Sequence, residues 1–136
     1  AIYHASAVMA CGFTVGLVKL ATDLWESMGF SQEAALAALV PLLRGTVNSL
    51  ESVGLPQALT GPFARGDVGT VQKHLEALAA RAPDVARVYC ELGLAQLLLA
   101  MEKGGLDVET AGRFRDLLEG YLRKEPTLAR GESARQ

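Results

Sequence analysis

The sequence predicts an all-α fold, a bundle of about five helices, and three observations predict it. Apolar residues recur at helical spacing through most of the chain, with no strand signal of any strength, no internal repeat and no low-complexity tract. Serine, aspartate, proline and glycine stand where helices would begin and end. Half of the 136 residues are hydrophobic and only 21% are charged, a composition able to fill the core of one domain.

Each element can be justified in order. The first helix runs from Tyr3 to about Met28 and is apolar on most faces until Lys19. A helix of that character belongs in the middle of a bundle or at a subunit interface. Gly29 is placed to stop it. Ser31 caps a second helix, and Glu33 in its first turn complements the positive end. Ala35, Leu39, Leu42, Leu43 and Leu50 are expected to be its buried stripe. Pro41 removes a backbone donor and is expected to kink or break it. This helix ends near Val53, with Gly54 following.

Asp67 caps a third helix, about Val68 to Arg81, with Val71, Leu75 and Leu78 facing inward. Pro83 opens a fourth, with Asp84 in its first turn. Its expected stripe is Val85, Val88, Tyr89, Leu92 and Leu99, and Gly104-Gly105 ends it. Asp107 caps a fifth, in which Phe114, Leu117, Leu118 and Tyr121 face inward. From Lys124 to Gln136 the periodicity fades into a polar tail expected to lack order. Residues 1–123 are thus the expected helical domain.

Composition also excludes. The net charge is -2 and no lysine/arginine stripe appears, so no nucleic acid is expected as a partner. The uncharged run from Ala5 to Val18 is too short for a membrane span, and no positively charged segment precedes it as in a signal peptide. The expectation is a cytoplasmic protein that spans no membrane. The mean hydropathy is positive, which calls for a partner over some apolar surface. Association of matching helices gives a two-fold homodimer most simply. Cys11 and Cys90 both fall in apolar helical patterns and are expected as buried small hydrophobes in a reducing compartment. The apolar pattern is already running at the second residue and no methionine opens the chain, so the sequence reads as though a segment in front had been removed.

No Gly-x-Gly-x-x-Gly follows a strand, and there is no Walker loop. The histidines and cysteines have no metal-ligand spacing, so no metal is expected. His4, at the start of the first helix, is a capping or surface group or an acid/base. His74 reads as a solvated flank position. Lys19 lies within roughly 60° of His4 in azimuth and either snorkels outward or reaches a shared cleft. Arg44 and Asn48, one turn apart, share a groove or a structural hydrogen bond.

The stretch "LTGPFARGD", Leu59 to Asp67, breaks the helical pattern. Gly61 and Gly66 permit positive φ, Pro62 fixes a turn and Asp67 caps the next helix. Thr60 and Arg65 have no such account. An arginine in a tight loop pairs with a carboxylate, anchors to helix-end carbonyls, or recognises a ligand.

"YHASAV" at Tyr3–Val8, "LLRGTVNSL" at Leu42–Leu50 and "LTGPFARGD" come in an order that resembles a known family. It is the helical C-terminal domain, catalogued as a domain of unknown function, of pyrroline-5-carboxylate-reductase-like, Rossmann-type NAD(P)-dependent oxidoreductases. The resemblance covers roughly Ile2 to Tyr121. It implies a dimerisation domain like the one at the C-terminus of 6-phosphogluconate dehydrogenase, preceded in the family by a nucleotide-binding Rossmann domain absent from this chain. It implies NADP or NAD in the full-length protein, and none for this chain alone. His4 would face the nicotinamide as a catalytic residue, while Thr60, Gly61, Pro62, Arg65, Asp67 and Arg44 would bind an anionic or carbonyl-bearing substrate. The family has a Ser-Asn-type polar pair about two turns after the histidine, where this sequence has Ala10, Cys11 and Gly12. That departure weakens the expectation of reductase activity, and Gly12 would instead let a helix or cofactor approach closely.

Overall fold

The structure, a computed structural model, describes residues 1–124. It is all-helical, with no strand among the described residues, and divides into two compact units, Ala1–Gly54 and the chain from Leu55 onward.

The first unit is a helical hairpin. Helix α1 (Ile2–Ala7) continues through a π-helical segment (Val8–Gly12) into α2 (Phe13–Ser27). Gly29, at φ 94°, turns the chain, and the Trp25 and Phe30 rings close the turn with centroids 5.1 Å apart. Ser31 then caps α3 (Gln32–Val53), its Oγ accepting from the Ala34 N–H at 3.1 Å, and α2 packs along α3.

Two helices can cover only one face of each other. In this unit only Thr22 and Ala35 are buried. Of the expected stripe of α3 only Ala35 is therefore buried: Leu42 is 70% exposed and Leu50 45%, with Leu39 and Leu43 only partly covered. Cys11, expected inside, is exposed for the same reason, and both cysteines are free thiols. Pro41 does not break α3. Pro41 and Ala37 are both exposed, so water can serve the carbonyl that the proline leaves without a donor.

The second unit has a core of its own. Helices α4 (Pro62–Arg65), α5 (Val68–Arg81) and α7 (Val108–Lys124) pack around α6 (Pro83–Lys103). Asp67 and Asp107 cap α5 and α7, accepting from the N–H groups of Thr70 at 3.0 Å and Thr110 at 2.7 Å. Val71, Leu75, Leu97, Phe114 and Leu118 fill the interior.

The inner face of α6 differs from the expected stripe. It buries Ala86, Cys90, Gly93, Leu97 and Ala100, while Leu92 is 41% exposed. Small residues face inward because Phe63, from the short α4, occupies the space: a Cβ at Gly93 would stand 2.8 Å from the Phe63 ring. Lys124 closes α7; the rest of the expected polar tail lies outside the described residues.

Candidate functional site

Within "LTGPFARGD" the structure separates anchors from free groups. Gly61 (φ 88°) and Gly66 (φ 70°) take backbone conformations that side chains disfavour, and between them Pro62 opens the single turn of α4. Phe63 and Ala64 point into the core. The Phe63 ring lies 5.0 Å from that of Phe114 and 6.1 Å from that of Tyr89. Both Asp67 carboxylate oxygens are engaged by Thr70, one by its N–H and one by its hydroxyl. Those bonds, with Arg65 and Lys73 nearby, hold the carboxyl below its ordinary range. Asp67 is thus occupied as a helix cap.

Thr60 and Arg65 are left over, and both are exposed. The Arg65 side chain makes no hydrogen bond or ion pair with any described residue. The loop carbonyls open to a cation are taken by Lys103, whose Nζ donates to the Gln57 carbonyl at 3.0 Å and to that of Leu59. Thr60, Gly61, Ala64, Arg65, Lys103, Gly104 and Gly105 line one recess of about 460 Å³. Its wall is tight: a Cβ on Gly105 would stand 2.3 Å from the Ala64 carbonyl oxygen. Lys103 is the residue that sequence reasoning passed over. Its signal was a last-turn cation just before a Gly-Gly helix end, where lysines meet free carbonyls.

His4, Gly12 and Arg44 belong to the hairpin unit and are all exposed. Gly12 closes the π segment. Eight residues overshoot two ideal α turns, and a wider π turn absorbs the excess. His4 and Gly12 therefore come closer to a common face than a straight α-helix would place them. Nothing in the hairpin demands glycine at position 12, since an added Cβ would meet only a Val8 methyl at 3.7 Å. Arg44 and Asn48 make no hydrogen bond with each other. Lys19 pairs with Asp23 on its own helix.

His74 is exposed but not solitary. Its Nδ1 lies 3.1 Å from the Tyr89 hydroxyl, and burial pushes the Tyr89 phenol up to about 12. Burial likewise pushes the Cys90 thiol up to about 11, which makes it inert as a nucleophile at neutral pH. No group of three or more metal-ligating side chains occurs among the described residues.

Fold and site together define an all-helical chain whose first unit is an apolar hairpin and whose second carries an open cationic recess. Residues 1–96 match the family described as Domain of unknown function (DUF2520), and the chain belongs to that family. The match takes in the hairpin and the "LTGPFARGD" turn and stops within α6. No curated protein and no solved structure matches the chain.

Proposed function

We propose that this chain is the dimerisation and substrate-side domain of an NAD(P)-dependent oxidoreductase-like protein. Hydride chemistry would belong to a nicotinamide held by a nucleotide-binding neighbour, and this domain would supply orientation and polar contacts. One observation carries the reading. The hairpin exposes Phe13, Val15, Leu42 and Val53, each more than half accessible, yet buries only two residues. Such a surface is stable in water only when something covers it, and a second hairpin does so by completing four helices. The free Thr60 and Arg65 support the substrate-side half, since neither is needed to close its own turn.

Sedimentation equilibrium tests the first half, with a concentration-dependent dimer as the expected result; a monomer at high concentration sinks it. Calorimetry tests the second, with no tight NADP binding by this chain alone. One feature favours another reading. Ile2–Ser27 is a helix of 26 residues, long and apolar enough by length and composition to cross a membrane, and little of it is buried. Flotation with phosphatidylcholine vesicles separates the two: a dimer that stays with the aqueous fraction supports dimerisation, and a chain that floats supports the membrane.

A further inference from the structure

We propose that the recess beside α4 is an oxyanion site, with Arg65 as the binding fork and Lys103 as a second cation that also holds the loop in place. This deepens the substrate-side reading and rests on it for its biological sense. It selects an anionic group over a neutral carbonyl.

Three features argue for it. Arg65 and Lys103 line the same recess and no carboxylate does, so its side-chain charge is positive. The Arg65 side chain has no hydrogen-bond or ion-pair partner among the described residues; the nearby Asp67 carboxylate, which feels its charge, is held by Thr70. A guanidinium offers five donors in a planar fork that suits a carboxylate or phosphate edge. Lys103 spends two of its three donors on the Gln57 and Leu59 carbonyls, which leaves one for a ligand. Those carbonyls lie just before Thr60, so the same ammonium fixes the strand of loop that presents the threonine hydroxyl.

The mount is rigid. Phe63 and Ala64 are buried between Thr60 and Arg65, and the close passage of Gly105 against Ala64 leaves no room for a side chain. A loop pinned in this way loses little freedom when it binds. Two sources share the recognised chemistry, a small carboxylate and a phosphate group, and the recess volume admits either.

The test uses the full chain, titrated at constant ionic strength with inorganic phosphate, with malonate and with the neutral malonamide, and followed by amide NMR. Saturable shifts at Gly61, Gly104 and Gly105 are expected with phosphate or malonate, and the tighter of the two names the source. Arg65→Gln should weaken binding by about tenfold or more without altering the fold. Lys103→Met should weaken it as well and shift the Gln57–Thr60 amides before any ligand is added. The proposal is overturned if no anion saturates these shifts, if malonamide binds as well as malonate, or if R65Q binds like the parent. R65Q keeps the test decisive should K103M fail to fold, because Arg65 has no structural partner to lose. Oligomeric state does not enter: an anion-binding monomer sinks the dimerisation reading alone, and a dimer blind to anions sinks this one alone.

Discussion

Gly93 shows how much a single hydrogen can decide. Its missing side chain is the space that Phe63 occupies, with the Phe63 ring and a Leu118 methyl standing 2.8 and 3.0 Å from where a Cβ would be. Alanine ordinarily gains about 0.5–1 kcal/mol over glycine inside a helix. Here overpacking costs about 1–3 kcal/mol and wins. Gly93→Ala should therefore lower the melting temperature by several degrees, and a Phe63→Leu change in the same chain should recover part of the loss. A melting temperature equal to or above the parent's would show that the ring is free to move. Asp67 and Asp107 make a second residue-scale prediction, about pH. Both carboxyls are held below the ordinary value of 3.8 by hydrogen bonds from Thr70 and Thr110. A depressed folded-state pKa contributes stability above the unfolded value, and that contribution is lost as pH falls through the folded value. Denaturation midpoints should hold from neutrality down to the ordinary carboxylate range and drop below it. In the Asp67→Asn, Asp107→Asn double variant that acid drop should be smaller.

Among the elements, the ends were readable, and so were the inner faces of α5 and α7, whereas those of α3 and α6 were not. Ser31, Asp67 and Asp107 could be assigned as caps because a cap is a local bond between a side chain and a backbone group three residues on. Gly29, Gly54 and Gly104 follow from the same short-range chemistry, and all three have positive φ. The buried face of α6 depends on what lies opposite, and the sequence does not show that. Large apolar residues such as Leu92 mark what would gain from burial, while the position beside Phe63 had to be small. Likewise Thr60 and Arg65 stood out as unexplained in a turn, but Phe63 drew no notice, since one aromatic in a short loop carries no periodicity. The stripe of α3 is a different case. Its residues are apolar as read, yet the hairpin buries only Ala35 among them and leaves Leu42 and Leu50 exposed. Leu42→Glu should leave the helix content of the dilute protein unchanged and shift the sedimentation equilibrium towards monomer. Helix loss at low concentration would instead mean that Leu42 serves the hairpin itself.

At the scale of the molecule, the two units differ in self-sufficiency. The chain from Leu55 has an interior of large side chains, Leu97, Phe114 and Leu118 among them, each at most 1% exposed. The hairpin has none. Expressed apart, residues 55–136 should melt cooperatively at a temperature independent of concentration, whereas residues 1–54 should gain structure only as concentration rises. A cooperative, concentration-independent melt of the hairpin fragment alone would contradict this. The hairpin also bears on how the protein fares in a cell. A copy whose oily helices stay bare displays what chaperones and proteases look for, so unassembled copies should be short-lived. Pairing with a second copy rises with concentration, so copies would be cleared while scarce and retained once abundant, without any dedicated control of synthesis.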